Sequence, residues 1–192
     1  MQVIDILQET AEIMNLIQIK DELKNVTKET ESETLNNTEI QSLMNLLKLS
    51  VRELCSNYVP AVRCENVNIL DGEYKLSELK NYIKIKSIKK EGQIVSYKIL
   101  NRNIKVIENG NYEVEYYSYP EINSLFDEIE FLKNLNSEVI IFGLCSYYAL
   151  SKGMFEDFHE MHDMYVQHAE SLKELKLFTM PQRSWEWNKK SV

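Results

Sequence analysis

The sequence is poor in the residues that turn, kink or cross-link a chain. Its 192 residues include five glycines, three prolines and three cysteines. The few, scattered glycines exclude the phosphate-binding loops GxGxxG and GxxxxGKS/T and a GxSxG nucleophile elbow. The cysteines are odd in number and widely spaced, which favours reduced thiols, with Cys55 and Cys145 packed as small apolar residues. A disulfide between Cys55 and Cys64 is the alternative.

The chain also lacks a surplus of positive charge and a long apolar run. Its formal net charge is −8, which opposes non-specific binding to the phosphates of nucleic acids. The longest apolar stretch, residues 139–150, is too short to span a bilayer, and the first residues carry no signal-peptide pattern. We therefore expect a cytoplasmic protein with no membrane contact. A hydrophobic content of 44% is enough for one folding unit with its own core.

The first third of the chain has helical periodicity. One helix is predicted from an apolar face that includes Val3, Ile6, Leu7, Met14 and Ile17, with Ile13 as a further member. Residues 25–37 are rich in Thr, Glu, Ser and Asn and predict an exposed loop or mobile linker. A second helix begins near Thr38, where Thr38 and Gln41 have capping-box spacing, and ends before Pro60. Its predicted inward positions are Ile40, Leu43, Leu47, Val51 and Leu54, and Leu46 and Leu49 widen this stripe.

The middle of the chain changes to strand periodicity. Residues 82–86, 94–100, 104–107 and 112–119 predict a four-stranded antiparallel meander with turn residues between the strands. In the last strand Tyr112, Val114 and Tyr116 face one way, and Glu113, Glu115 and Tyr117 face the other. The apolar face of so small a sheet must be covered by the helices or by a neighbouring subunit.

Helical periodicity returns after Pro120. We predict a helix over 122–135 with Leu125, Ile129 and Leu132 on one side, a very buried helix over 139–151, and a last helix from Met154 to about Leu175. Gly143 is small enough for close helix approach, and Gly153 ends its helix. The predicted inward residues of the last helix are Phe155, Phe158, Met161, Tyr165 and Met164. The fold class is therefore mainly α (α+β), a helical bundle with a small antiparallel β-meander insertion. Its parts are 1–65, 66–120, 121–177 and a tail, 178–192.

Residues suited to catalysis are few. Glu156 and His159 have the ExxH spacing of di-iron bundles, with His162 and Asp163 nearby, but no second ExxH is present. We read His159, His162 and His168 as a solvated or interface-facing stripe. The acid pairs Glu113–Glu115 and Glu128–Glu130 are typical of wet faces. We predict no enzymatic activity, no cofactor and no metal.

Two groups of residues are candidates for contact with a partner. Lys84, Lys86, Lys89 and Lys90 form a basic patch, which we read as charge protecting a strand edge, with contact to DNA or an acidic partner as the alternative. Aromatic residues favour interfaces. The tail carries two tryptophans, which either fold back on the domain or anchor a partner. The candidate partner-binding residues are Trp185, Trp187, Tyr117 and Tyr119.

The order of these segments resembles a known family. A helical start, a β region ending in YEVEYYSYP and a helix hairpin containing ALSKGMFE are similar to the head–tail adaptor proteins (connector or tail-tubular proteins) of short-tailed bacteriophages. The resemblance covers about residues 1–175. The matching positions are Val114, Glu115, Tyr116 and Pro120 in the strand, and Leu150, Gly153, Phe155 and Glu156 in the hairpin. The tyrosine-rich last strand departs from the family pattern.

The resemblance implies a structural protein of the virion neck that is assembled in the host cytoplasm. Such a protein forms a homo-oligomeric ring, a dodecamer, below the portal protein. It contacts a tail or nozzle component and passes DNA through its lumen without reading its sequence. Two other functions remain open at this point: a helical protein–protein interaction scaffold of a bacterial cell, with TPR-like packing, and a metal-binding helical enzyme.

Overall fold

The computed structural model describes residues 1–129 and 136–179, with side chains of the last helix up to residue 172. These residues form a mixed α+β fold, about 47% helix and 25% strand, with six α-helices and two small antiparallel sheets. The predicted α+β class is therefore confirmed. The helices are α1 (Val3–Ile13), α2 (Ile17–Lys24), α3 (Glu31–Thr34), α4 (Thr38–Asn57), α5 (Glu138–Ser151) and α6 (Phe155–Thr179).

The first predicted helix is in fact two helices. The chain breaks at Asn15, whose φ of 55° is a left-handed conformation that asparagine tolerates. Ile13 at the end of α1 and Ile17 at the start of α2 are both exposed, Ile17 by 64%, so they do not share the predicted apolar face. The inward prediction holds for the early residues of α1, which are buried: Val3, Ile6 and Leu7.

The polar segment 25–37 is mostly exposed, but it contains α3 and is attached to a distant part of the chain. Glu31 Oε1 accepts hydrogen bonds from Ser124 Oγ at 2.7 Å and from the Leu125 amide at 2.6 Å. These contacts join segments that are 93 and 94 residues apart in the sequence. One carboxylate therefore connects the segment to the helical core.

The helix α4 agrees with its prediction except at its start and at one side chain. It ends at Asn57, ahead of Pro60, and Asn37 rather than Thr38 caps it, because the Asn37 side chain accepts a hydrogen bond from the Glu39 amide at 2.9 Å. Leu49, expected to widen the buried stripe, is exposed. The five predicted inward residues are all buried: Ile40, Leu43, Leu47, Val51 and Leu54.

The β region contains seven strands in the described residues, not the four of the predicted meander. They are β1 (Ala61–Ile69), β2 (Glu73–Lys75), β3 (Tyr82–Lys90), β4 (Gln93–Ile94), β5 (Lys98–Leu100), β6 (Asn103–Lys105) and β7 (Gly110–Ser118). The sheet orders are β1-β7-β3-β4 and β2-β6-β5, so β7 lies between β1 and β3. The meander was wrong because β1, whose sequence AVRCENVNI has polar residues on both faces, lacks the apolar alternation that marks a strand.

The apolar face of β7 is covered within the same chain. Tyr112, Val114 and Tyr116 face inward, as predicted, and form one hydrophobic cluster with Ile104 of β6 and Leu76. The expectation that helices or a neighbouring subunit would cover this face was wrong, because the three-stranded sheet supplies the second layer. The β region therefore has a hydrophobic core separate from the core of the helices.

Residues 121–129 are not the start of the predicted helix over 122–135, and residues 130–135 lie outside the described part of the chain. The Asp127 carboxylate accepts hydrogen bonds from the amides of Asn123 and Ser124, at 2.7 and 2.9 Å. Side-chain bonds of this kind compete with helical pairing of the backbone. The segment instead bonds to α1, since the Val3 amide donates to the Asp127 carbonyl at 2.9 Å. Leu125 is buried as predicted, and so is Ile129.

The helices α5 and α6 form the predicted hairpin, and most of α5 is buried. Gly143 of α5 faces Ser50 of α4 and the ring of Tyr165 of α6, so its missing side chain allows three helices to meet. Gly153 follows α5 with a φ of 73°, as expected for a residue that ends a helix. Phe155, predicted to point inward, is instead 63% exposed, because it lies at the turn rather than between the helices.

Candidate protein-binding site at the helix–sheet junction

Tyr119 lies directly after β7, where the chain leaves the sheets for the helical part. It is half-buried and lines two clefts of about 390 and 560 Å³, which share Tyr119 and Asn81. The first cleft is bordered by α4, and the second by the segments around β2 and the β5–β6 turn. We call the two together the junction cleft, and its principal polar residues are Lys48, Arg52, Lys75, Asn81, Arg102 and Tyr119.

Tyr119 is held by one contact of its ring and one of its backbone. The Arg52 guanidinium carbon lies 4.8 Å from the ring centroid, within the range of a cation–π contact. The Tyr119 amide donates a hydrogen bond to the Asn81 carbonyl at 3.2 Å. Tyr119 therefore links α4 to the segment that precedes β3 and forms a common wall of both clefts.

The junction cleft carries more positive than negative charge. Lys48, Arg52, Lys75 and Arg102 line it, and none of the four has an ion-pair partner in residues 1–129 or 136–172. Glu121 is an acidic residue in the same lining. A cluster of unpaired cations in a chain of net charge −8 attracts an acidic ligand.

Two residues of the junction cleft have a left-handed backbone. Asn81 has a φ of 53° and Arg102 a φ of 63°. Arg102 forms a tight β5–β6 turn with Asn101, and this conformation costs about 1–2 kcal/mol for a residue with a side chain. The Asn81 Nδ2 atom is buried and has no hydrogen-bond acceptor among the described residues. Backbone strain and unsatisfied polar atoms of this kind concentrate at functional sites.

Tyr117 lies on the outer face of the four-stranded sheet, on the same side as Glu113 and Glu115, as predicted. Its register neighbours are Val62 on β1 and Lys84 on β3. Val62 is 51% exposed on the edge strand β1 and Tyr117 is half-buried on the neighbouring β7, so the two form a small apolar surface on the outer face of the sheet. Binding of a partner through Tyr117 or Tyr119 remains a prediction.

The predicted basic patch is largely neutralised by glutamates. Lys86 pairs with Glu115 at 2.6 Å, and Lys89 pairs with Glu113 at 2.8 Å. The hydrogen bond from Lys86 holds the pKa of Glu115 below its usual value. Two of the four patch lysines are thus paired across the sheet, and Lys90 pairs with Glu108 at 2.6 Å. These ion pairs fit charged residues on a solvent-exposed sheet face better than they fit a DNA-binding patch.

The turn between α5 and α6 carries Phe155, the largest exposed side chain among the described residues of the hairpin. Leu150, Met154 and Phe155 are exposed there, and a Cβ on Gly153 would meet no atom within 4 Å. The acids Glu156 and Glu160, which are exposed, and Asp157, which is half-buried, follow without an ion-pair partner in the described residues. We call residues 150–160 the hairpin turn.

The three histidines lie along α6 but do not converge. His162 stacks on Phe158 with ring centroids 5.2 Å apart, and His168 lies 5.5 Å from the Phe142 ring. His168 Nδ1 is 3.8 Å from Glu138 Oε2. Within the residues described, no three His, Cys, Asp or Glu side chains come together as metal ligands. The remaining predicted partner residues, Trp185 and Trp187, lie outside the described residues.

The residues of the junction cleft other than Tyr119 were missed by sequence reasoning. Lys48 and Arg102 are 54 positions apart in the chain (102 − 48), and no local motif joins them. Asn101 and Arg102 lie between the predicted strands 94–100 and 104–107, where only turn residues were expected. A basic residue in a tight turn was the one available signal.

The comparisons with known proteins add no identification. No known family model matches the chain, and a search of curated proteins finds no match either. None of the described helices combines the length and apolarity needed to cross a bilayer.

Proposed function

We propose that this chain is a structural assembly protein, a ring-forming head–tail adaptor that joins a portal protein to a tail or nozzle component. The observation that carries the proposal is exposed apolar surface on both parts of the molecule. The helical part presents Met154 and Phe155 at the hairpin turn. The β region presents the exposed residues Ile94, Ile99, Leu100 and Ile107. Apolar side chains exposed in groups are commonly buried when proteins associate.

The order of the segments also supports an adaptor. All seven strands lie between α4 and α5, and a helix hairpin follows. The proposal treats this arrangement as a helical bundle with an inserted β region, the form that the family resemblance implies. A molecule with one surface on its helices and another on its sheets can contact two different neighbours. In a head-to-tail arrangement it can also contact copies of itself, and such contacts close into a ring.

The charges support passage of DNA through the ring without tight binding. The net charge of −8 and the pairing of the sheet lysines with glutamates leave little basic surface on the outer sheet face. A channel that held phosphates strongly would slow the passage of DNA. The proposal places the protein at the virion neck after assembly in the host cytoplasm and assigns it no catalytic step and no cofactor.

The test is assembly on a portal. The purified chain, alone and mixed with the portal protein encoded in the same genome, is measured by native mass spectrometry. A ring of roughly twelve copies that forms on the portal supports the adaptor. A chain that stays monomeric and never binds the portal refutes it and leaves the helical scaffold as the better function. A chain that assembles only with the portal also supports the adaptor, because ring contacts can depend on the portal surface.

A further inference from the structure

We propose that the junction cleft is the docking site for the hairpin turn of a second copy of this chain. This inference rests on the proposed ring and specifies which two surfaces form its repeated contact. It is carried by four observations: the charge of the cleft, its apolar floor, the opposite charge of the hairpin turn, and the distance between the two surfaces within one copy.

The cleft is suited to an acidic segment with an aromatic side chain. Four cations line it, none of them ion-paired within the part of the chain that the structure describes, and two of the four are Lys48 and Arg52 on α4. Tyr119 and the side chains of Leu79 and Tyr82 give it an apolar floor. An occupant that supplies carboxylates and an apolar ring would complement the cations and the apolar floor together.

The hairpin turn has the matching composition. Phe155 is 63% exposed, and the acids Glu156, Asp157 and Glu160 that follow it are unpaired within the described residues. The nearby cation Lys152 is already engaged, because its Nζ lies 2.9 Å from Glu39 Oε1. The turn therefore presents an acidic and aromatic surface to its surroundings. Complementary charge on two surfaces of one chain specifies head-to-tail contact between copies.

The two surfaces lie apart along α4 within one copy. The contact between Lys152 and Glu39 places the hairpin turn beside the first turn of α4. Lys48 and Arg52 lie nine and thirteen residues further along the same helix (48 − 39 and 52 − 39), which corresponds to about 14–20 Å along its axis. A contact between cleft and turn therefore needs a second molecule, and repetition of that contact builds a chain or a ring.

DNA is the competing occupant, and the charge distribution favours protein. The cations of the cleft lie around a recess that also contains Tyr119, Glu121 and apolar side chains, whereas a surface that follows a phosphate backbone has a continuous basic stripe. The net charge of −8 also repels DNA, which is a long polyanion. A short acidic segment of protein carries fewer charges and is repelled less.

The experiment is a charge exchange between two full-length variants. The cleft variant carries Lys48→Glu and Arg52→Glu, and the turn variant carries Glu156→Lys and Asp157→Lys. Each variant alone places like charges on both surfaces, so we expect inter-copy contact to fall at least about tenfold. In a mixture, the acidic cleft meets the basic turn and the basic cleft meets the acidic turn, so contact returns. The matched control, Lys84→Glu with Lys98→Glu, changes the charge equally at exposed lysines outside the cleft.

The readout is zero-length carboxylate–amine cross-linking between ¹⁴N and ¹⁵N copies at high protein concentration, which records weak contacts without the portal. The expected links join Lys75 to acids of the hairpin turn in the wild type and in the mixture of variants. Circular dichroism verifies that each variant is folded. Links elsewhere, or none between these segments, would overturn the inference. So would binding of a short DNA duplex that the cleft variant alone loses, in the absence of such links.

The two proposals can fail separately. If the cleft variant still forms rings on the portal, the docking inference is wrong while the adaptor function stands. If the wild type never binds the portal but shows the cleft-to-turn links, the adaptor is wrong while self-docking stands. High salt should weaken the links, because the contact depends on charges near the surface.

Discussion

Substitution of Gly143 by alanine should destabilise the protein, although alanine is the better helix former. A Cβ at this position would overlap Ser50 Oγ and lie 3.1 Å from a ring carbon of Tyr165. Alanine gains about 1 kcal/mol from helix propensity. Overpacking where three helices meet costs about 1–3 kcal/mol, and we place this site at the upper end because two helices press on one atom. The net expectation is a loss of about 1–2 kcal/mol in the free energy of unfolding.

A second substitution isolates the cause. Ser50 Oγ is buried and has no hydrogen-bond partner among the described residues, so Ser50→Ala alone should raise the free energy of unfolding by up to about 1 kcal/mol. In the double variant the new methyl group occupies the space of the lost hydroxyl. We expect a favourable coupling of at least about 1 kcal/mol between the two substitutions.

The assay is urea unfolding followed by circular dichroism, with midpoints compared at unchanged slope. Gly153→Ala is the control, because its φ of 73° is costly for alanine but its surroundings are open. Ser50→Ala should not rescue this control. The reasoning is refuted if Gly143→Ala is as stable as the wild type, or if Ser50→Ala rescues both glycine variants equally.

Three further predictions concern the caps, a long-range contact and one thiol. Asn37→Ala should cost about 1 kcal/mol in the free energy of unfolding because it removes the cap of α4, while Thr38→Ala should cost less; equal losses in urea unfolding would contradict the cap assignment. Glu31→Ala should cost about 1–3 kcal/mol by leaving a backbone amide and a hydroxyl without their acceptor, whereas the exposed Glu33→Ala should be near neutral; the same titration compares them. Burial raises the pKa of the Cys145 thiol to about 12, so the folded state favours the neutral thiol. The contribution of this neutral thiol to the free energy of unfolding is complete below the unfolded pKa of about 8.5 and is lost as pH rises towards 12. Cys145→Ala should therefore show a shallower fall in stability between these limits, measured by thermal unfolding across pH, and an unchanged slope would exclude this thiol as a cause.

The parts of the fold that could be predicted are those whose pattern is local. The helical spacing in α4 correctly identified five buried side chains, and the alternation in β7 correctly divided its two faces. Patterns of this kind reflect the geometry of one element, whose side chains repeat every 3.6 or 2 residues. Position 143 was predictable for the same reason, since a glycine inside an apolar helix marks close packing. The exposure of Phe155 was not predictable, because the helical pattern of α6 does not show where the neighbouring helix α5 ends.

The candidate site was predicted only in part. Tyr119 was singled out for its aromatic ring, but the cations around it come from α4, from β2 and from the β5–β6 turn. Residues so far apart in the chain carry no common motif. The lysines 84, 86, 89 and 90 are close together in the sequence and therefore suggested a free basic patch. Two of them pair with Glu113 and Glu115, which lie more than twenty residues away, so the sequence did not show that their charge is neutralised.

The sequence by itself determined α4 and its buried face, the two faces of β7 and the hairpin of α5 and α6, because hydrophobic periodicity is a property of neighbouring residues. Only the tertiary structure decided that β1 pairs with β7, that Glu31 reaches residues 124 and 125, and that Tyr119 meets Arg52 in one cleft. Contacts between distant residues depend on how the elements pack together, so they emerge when the chain folds.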